Sequence, residues 1–152
     1  MLQHQGYEVQ TGIFIEGLCV KHEVDVRAVN EIECILIECK YHNKQGIKSG
    51  VQTPLYIQAR FSDIKTKWQQ DNKYKNLVVK GWIITNTQFS TDALQYGNCC
   101  GLRLISWKQT ANNNLAHFIE SKKMYPITCL TTLTNDEKNF LLKNDVILCV
   151  EF

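Results

Sequence analysis

The chain has 152 residues, of which 21% are charged, and its formal net charge is only +2. A chain of this length is expected to form one domain with a sizeable core, and so small a net charge does not by itself indicate nucleic-acid binding. Because no signal peptide and no apolar stretch of membrane-spanning length is recognisable, we expect a soluble cytoplasmic protein without a membrane partner.

The first half of the chain predicts antiparallel strands. Residues 1–6 resemble the tail of a helix, and residues 11–16 have the composition of a short strand. Residues 22–29 and 33–42 then form a hairpin across Asn30 and its neighbours. This part of the chain therefore predicts an antiparallel meander of three strands.

The middle of the chain alternates helices with strands. A helix begins at Thr53 and Pro54, since proline suits the first turn. Its apolar face is marked by residues at spacings of four, three and four, namely Ile57, Phe61, Ile64 and Trp68. Residues 77–85 predict a buried strand, Ser90 opens a second helix that ends near Gly101, and residues 102–107 predict another strand. This order predicts an α/β fold with a central mixed sheet and helices on both faces.

The composition changes near residue 109. A polar linker is followed by a short helix over residues 115–123 and an irregular stretch from residue 125. Thr134 and Glu137 form the capping box of a helix through residue 143, and residues 146–150 predict a last strand. We divide the chain into a domain of residues 1–108 and a small C-terminal helical appendage, residues 109–152, which packs on that domain or on a partner.

The seven cysteines do not have the pattern of a disulfide framework. Their number is odd, and Cys34, Cys39 and Cys149 lie in apolar runs, where cysteine serves as a small hydrophobic residue. The four histidines are scattered, and no Cys-x-x-Cys pair occurs, so no zinc spacing is present. We expect reduced thiols, and we expect the thiol of Cys39 to point into the core.

Three polar residues interrupt the predicted hairpin. Asp25 lies in its first strand, whereas Glu38 and Lys40 lie in the apolar run ILIECKY of its second strand. Alternation along a strand places Glu38 and Lys40 on one face. Asp25 can lie roughly 5 Å from Glu38, which is the spacing of paired strands. We expect the three side chains to converge at one end of a cleft on the accessible side of the sheet.

Two carboxylates at that spacing would repel each other by about 3 kcal/mol at an effective dielectric constant of 20. A divalent cation between them would reverse this cost, and a neighbouring ammonium group would partly offset it. The alternative is a solvated strand edge with a weak surface ion pair, which is the usual meaning of an isolated Glu-x-Lys. The apolar context favours charges that are paired or bound to a metal.

The motif and the order of elements together resemble the PD-(D/E)XK nuclease superfamily. Within it the chain is most similar to Mrr-like restriction-endonuclease domains of the type found in bacterial proteins behind an ATP-cone domain. The resemblance covers nearly the whole chain, and it includes HEVDVRA, ECKYHN followed by GIKSGV, LYIQARF, GWIITNTQFSTDALQYG, GLRLISW and YPITCLTTLTNDEKNFLLKNDVILC. It implies a restriction-endonuclease-like three-layer α/β/α fold.

The resemblance also implies a metal site. Asp25 and Glu38, with the main-chain carbonyl of Cys39, would bind Mg²⁺, and Mn²⁺ should be able to substitute for it. Lys40 would orient the attacking water or help to deprotonate it, and it would offset charge in the transition state. Asp25, Glu38 and Lys40 are thus the implied catalytic residues.

The sequence departs from the family pattern at three points. Val24 precedes Asp25 where the family name indicates proline. The first helix carries no acid before Glu8, so Glu16 or Glu23 is left open as an additional ligand. An ATP-cone domain is not part of this sequence, so nucleotide control is not implied.

The leading hypothesis is a Mg²⁺-dependent DNA endonuclease. Lys44, Lys48 and Arg60 are predicted to contact DNA phosphates, although solubilising charge is an equal alternative. His42 shares a face with Glu38 and either touches substrate or ends the strand in a hydrogen bond. The competing hypotheses are an inactive nucleic-acid-binding or assembly module on the same fold and an RNA- or structure-specific nuclease. Because cutting both strands generally requires two sites, a homodimer is also possible.

Overall fold

The computed structural model describes residues 2–44, 46–109 and 114–151. Within these ranges the chain is a mixed α/β fold with a central five-stranded sheet, a second sheet of two short strands and four α-helices. The strands are β1 (Glu8–Glu16), β2 (Lys21–Val29), β3 (Glu33–Lys40), β4 (Lys48–Ser49), β5 (Val78–Thr85), β6 (Gln88–Phe89) and β7 (Arg103–Ile105). The helices are α1 (Gln52–Gln69), α2 (Thr91–Cys99), α3 (Leu115–Lys122) and α4 (Asn135–Lys143).

The central sheet has the order β1-β2-β3-β5-β7. The pairs β1/β2 and β2/β3 are antiparallel, whereas β3/β5 and β5/β7 are parallel. The predicted meander followed by helical crossovers is therefore confirmed, and β3 becomes the middle strand. The short strands β4 and β6 pair in parallel as a separate small sheet, which two residues per strand gave no pattern to predict.

One face of the sheet is covered by α1 and α2. The residues that share this apolar layer include Leu36 and Ile83 from the sheet, together with all four predicted core positions of α1, namely Ile57, Phe61, Ile64 and Trp68. The spacing of apolar residues in α1 thus gave its buried face correctly, because a helix of 18 residues repeats that spacing over several turns.

The other face is covered in part by α3. Ile35, Ile37 and Trp82 form this second layer, and Leu115 and Phe118 of α3 pack against it. The guanidinium of Arg103 lies between the rings of Trp82 and Phe118, at 4.5 and 5.6 Å from their centroids. The start of the predicted appendage is therefore packed on the sheet. The division of the chain at residue 108 stays a prediction, and the predicted linker lies mostly outside the described residues.

The predicted last strand is wrong. Leu148 makes only an isolated antiparallel bridge with Pro126, and the chain then turns into a 3₁₀ helix over Cys149–Glu151. The carboxylate of Glu151 accepts the N–H groups of Ile147 and Leu148, both at 2.9 Å. The side chain thus binds the donors that a continued strand would have used.

The cysteine thiols are all free, and the thiol of Cys39 is exposed instead of buried in the core as predicted. It lies on the face of Ile35 and Ile37 but near the end of β3, where the covering layer stops. Among the described residues, no helix combines the length and the apolar composition that a membrane span requires.

The turn between β1 and β2 is anchored to α1 by one carboxylate. Asp63 accepts the N–H groups of Cys19 at 2.9 Å and Val20 at 3.4 Å, and it lies 2.7 Å from Nε2 of His22. The hydrogen bond from His22 is the main reason that the pKa of Asp63 falls to about 2. Charged Asp63 therefore stabilises the fold.

We expect the free energy of unfolding to decrease as the pH falls from about 4 to about 2. Asp63 is charged in the folded state over this range but takes up a proton in the unfolded chain, whose carboxyl pKa is about 3.9. Asp63→Asn should be less stable than the wild type at pH 6, and the two should converge near pH 2. Urea denaturation at several pH values measures this difference. The control is Glu31→Gln, an exposed acid in the β2–β3 turn, and a pH-independent gap for Asp63→Asn would contradict the assignment.

Candidate active site

The site lies where β2 and β3 separate. The paired residues of these strands end at Val26 and Ile37, one step before Asp25 would face Glu38. Beyond that point Oδ2 of Asp25 accepts the N–H of Cys39 at 2.7 Å. A side chain thus bridges the two strands at the end of the ladder, and it brings the Asp25 carboxylate to the backbone beside Glu38.

The partner strand β1 is also irregular at this level. Its pairing with β2 passes from Thr11/Val26 to Ile13/Val24, and Gly12, opposite Asp25, has a φ of +58°. That conformation is disfavoured for residues with a Cβ atom, so glycine permits the local bend. Asp25 therefore lies at a break in regular pairing on both of its sides.

Glu38 is buried on the face that α1 covers. It is 5% exposed, and its carboxylate is held by two cations. Nζ of Lys40 lies 2.7 Å from Oε1, and Nη1 of Arg60 lies 3.0 Å from Oε2. Glu38 and Lys40 share a face, as strand alternation predicted, but Glu38 is not on the accessible side. The sequence could not give this, because Arg60 reaches Glu38 from a helix 22 residues away.

The two cations differ in exposure. The Arg60 side chain is 12% exposed and lies over the ring of Tyr56, with its guanidinium carbon 5.4 Å from the ring centroid. The Lys40 side chain is 36% exposed. Arg60 is therefore the buried counter-charge of Glu38, whereas Lys40 lies between Glu38 and solvent.

Cys39 faces away from this ion cluster but contributes its backbone. Although Cys39 is exposed overall, partial desolvation of its thiol, followed by the nearby carboxylates of Asp25 and Glu38, raises the pKa of that thiol, so the thiol stays protonated near neutral pH. Its N–H points toward Asp25, and the N–H and C=O of one strand residue point to the same edge. The carbonyl of Cys39 is thus directed toward the gap between β2 and β3.

These residues fit a Mg²⁺ ion in the chemistry of their donors. The described residues contain no cluster of three or more His, Cys, Asp or Glu side chains that could hold a metal. Mg²⁺ is commonly held by only one or two carboxylates, together with waters and phosphate oxygens. Each Glu38 oxygen has a second lone pair beyond the one used by its cation, and Asp25 has Oδ1 in addition to the bonded Oδ2.

Within the described part of the chain, no hydrogen bond or ion pair joins the other predicted residues, Glu16, Glu23 and Lys48, to Asp25 or Glu38. Glu16 forms an exposed ion pair with Lys21 at 3.4 Å, at the turn end of the β1–β2 hairpin. Glu23 is exposed on β2, and Lys48 is exposed on β4. Neither Glu16 nor Glu23 is brought into the Glu38 ion cluster by any described contact.

A cleft of about 560 Å³ opens at the carboxyl ends of β3, β5 and β7. Seven of its lining residues are polar or aromatic, namely His42, Lys44, Asn86, Thr87, Gln88, Trp107 and Lys108. Ligands of α/β sheets commonly bind at this end of the strands. His42, which the sequence placed near substrate or in a strand-end hydrogen bond, lies 3.0 Å from Oγ of Ser49 through Nε2.

Sequence reasoning missed Trp107 and Asn86. Trp107 lies two residues after the end of β7, and the predicted strand over residues 102–107 included it because an aromatic residue at the end of an apolar run resembles a strand residue. Asn86 accepts the N–H of His42 at 2.8 Å and donates to its carbonyl at 2.9 Å. A single asparagine after an apolar strand gives no sign of a partner 44 residues away.

The chain matches a family model, a protein sequence and a solved structure. Residues 125–152 match the family model described as AF1548-like, C-terminal. An uncharacterized protein of Archaeoglobus fulgidus is 32% identical over 149 residues, which cover 98% of this chain and 79% of that protein. The crystal structure of a protein of unknown function, AF1548, has a TM-score of 0.79 at 31% identity, over 99% of this chain and 76% of that chain.

A further solved structure is less similar. A repair endonuclease from Pyrococcus abyssi aligns with a TM-score of 0.48 at 15% identity, over 68% of this chain and 39% of that chain.

We expect Arg60→Met to lower the free energy of unfolding at pH 7 by about 1–3 kcal/mol, because it removes one partner of a buried carboxylate. Lys40→Met should cost less than about 1 kcal/mol, since Lys40 is more exposed. Combining Arg60→Met with Glu38→Gln should recover part of the loss. Urea denaturation of the wild type, the single variants Arg60→Met, Lys40→Met and Glu38→Gln, and the double variant measures the coupling. Equal costs for Lys40→Met and Arg60→Met would contradict the assigned roles.

Proposed function

The chain belongs to the AF1548-like family, and we propose that it is a metal-dependent endonuclease that hydrolyses phosphodiester bonds of DNA. Its catalytic residues are Asp25, Glu38 and Lys40. The observation that carries the proposal is the meeting of these residues at one break in the sheet, with Lys40 on the Glu38 carboxylate and Asp25 on the adjacent backbone N–H.

The fold is consistent with this proposal. We propose that the arrangement is the three-layer α/β/α fold of restriction-endonuclease-like proteins and that the chain is related to the Mrr-like domains. The mixed sheet and the packing of α1 and α2 on one face and α3 on the other support it.

Asp25, Glu38 and the Cys39 carbonyl would hold the Mg²⁺ ion. When bound, the ion supplies a Lewis acid that polarises a phosphate oxygen and lowers the pKa of a bound water. The short set of protein ligands leaves positions for water and a phosphate oxygen, as a hydrolytic site requires.

Lys40 is placed to act on the reacting groups. Its side chain is 36% exposed and its ammonium group lies 2.7 Å from Oε1 of Glu38, so it can hold a water against the carboxylate and stabilise negative charge on the phosphate. Arg60, which the sequence predicts to contact DNA, bonds Glu38 from helix α1. We assign it as a positioning residue that holds the Glu38 carboxylate in place.

The substrate contacts are assigned to the loop after β3. Lys44 is exposed in this loop and Lys48 is exposed on β4, which follows it, and both would bind DNA phosphates. A homodimer would supply the second site that double-strand cleavage needs.

An inactive nucleic-acid-binding module on the same fold is the second candidate. The observation that favours it is that both oxygens of Glu38 are already bonded to cations. The two candidates differ in metal affinity and in cleavage, which the next two experiments measure.

We expect Asp25→Asn and Glu38→Gln each to weaken Mn²⁺ binding at least tenfold, because each removes a charged oxygen ligand. Isothermal titration calorimetry with Mn²⁺ measures this, and circular dichroism checks the fold. Glu31→Gln, at an exposed turn, is the matched control and should bind as the wild type does. Unchanged affinity in either site variant would remove that residue from the ligand set, and Glu23→Gln tests for an additional ligand.

We expect Lys40→Ala to reduce cleavage at least a hundredfold while DNA affinity changes less than about threefold, since a transition-state interaction affects turnover more than binding. The assay uses plasmid, single-stranded DNA and RNA with Mg²⁺, Mn²⁺ or EDTA. Lys21→Ala, remote on the β1–β2 turn, is the control. If the wild type cleaves none of these substrates but binds DNA, the inactive module is the correct reading.

A further inference from the structure

The cleft beyond β3 has a composition suited to one class of ligand. Among the described residues that line it none is acidic, whereas Lys44 and Lys108 are exposed cations. Trp107 is 41% exposed in its wall, although Trp68 and Trp82 are almost fully buried. An exposed indole beside uncompensated positive charge is suited to an anionic ligand with a flat ring.

The backbone of Trp107 is held in place. Its N–H donates to the carbonyl of Thr87 at 3.0 Å, and its carbonyl accepts the N–H of Ala116 at 3.1 Å. The side chain of Gln109 donates to the carbonyl of Phe89 and accepts its N–H, both at 2.7 Å. The backbone of Trp107 and the side chain of Gln109 are therefore fixed before any ligand binds, which lowers the entropy lost on binding.

The opposite wall is fixed in the same way. The two hydrogen bonds between Asn86 and the backbone of His42 join the end of β3 to the end of β5. Because Asn86 is already bonded, Gln88 is the exposed amide that remains to meet the edge of a ring.

We propose that this cleft binds one unpaired nucleotide of DNA, with its base stacked on Trp107 and its flanking phosphates on Lys44 and Lys108. The proposal rests on the proposed function and names its substrate class, which is DNA with a single-stranded segment next to the cleavage site. In a duplex both faces of a base are stacked, so the indole can reach a base only where the strand is unpaired.

The position of the cleft supports this assignment. His42 in its wall follows Lys40 by two residues, which is roughly 7 Å along an extended strand. A DNA strand with one phosphate at Lys40 would therefore place a neighbouring nucleotide at the mouth of the cleft. The loops that follow the parallel strands β3, β5 and β7 leave the sheet at the edge where the cleft lies.

The test uses binding without cleavage. A 12-nucleotide single strand and a blunt duplex are titrated in EDTA, with tryptophan fluorescence and anisotropy of a labelled strand as readouts. We expect the single strand to quench the exposed tryptophan and to bind more tightly than the duplex. Trp107→Ala should weaken single-strand binding roughly tenfold or more, whereas Trp107→Phe should abolish the quenching and retain most of the affinity.

Two control measurements separate stacking from charge. Phe14→Ala removes an aromatic residue that is 62% exposed on the remote strand β1, and it should leave binding unchanged. Lys44→Ala and Lys108→Ala should each reduce the slope of log affinity against log salt by about 0.7.

The outcomes distinguish this proposal from the nuclease assignment. Equal binding of duplex and single strand, with no effect of Trp107→Ala, overturns the unpaired-base site even if DNA is cleaved. Binding of a mononucleotide as tight as that of the oligonucleotide also overturns it, in favour of a small-molecule site. If the protein prefers single-stranded DNA, if this preference depends on Trp107, and if no DNA is cleaved, the unpaired-base site is supported and the catalytic assignment is wrong.

Discussion

The burial of the Glu38 carboxylate is the constraint on which the rest of the structure depends. A charge at the centre of a sheet, under a helix, is unfavourable unless it is paired and hydrogen-bonded. Arg60 supplies the buried partner and Lys40 the partially exposed one. Helix α1 must therefore lie over β3 with one particular residue above Glu38, and its apolar residues then fill the layer on either side.

The same region shows how a regular sheet is opened to make a site. Regular pairing would satisfy every backbone group of β2 and β3 and would leave no polar gap. The break at Asp25, permitted by the left-handed backbone of Gly12 on the neighbouring strand, frees one edge of β3. The carboxylate of Asp25 then satisfies the N–H of Cys39, so the gap is formed without an unpaired donor.

Sequence patterns predicted the parts of the structure that repeat. Alternation along β3 placed Glu38 and Lys40 together, and the spacing of four, three and four in α1 gave its buried face. The patterns failed where a single long-range contact decides the outcome. An arginine in an amphipathic helix is expected at the surface, and only the fold shows that Arg60 lies over Glu38. Cys39 belongs to an apolar run, but the residues that cover this face of the sheet do not extend as far as Cys39. The prediction of a last strand failed because the carboxylate of Glu151 accepts the N–H groups of Ile147 and Leu148.

Two of the polar contacts of α1 have a joint consequence. Arg60 and Asp63 are three residues apart on this helix, so they lie on the same side of it, and they bond Glu38 on β3 and the β1–β2 turn respectively. A shift of the helix by one residue would rotate both side chains by about 100° and break both contacts. In contrast to these two polar contacts, the apolar residues that α1 covers can be replaced in evolution by others of similar volume. Arg60 and Asp63 can change only together with their partners, so these two side chains fix the register of α1 against the sheet.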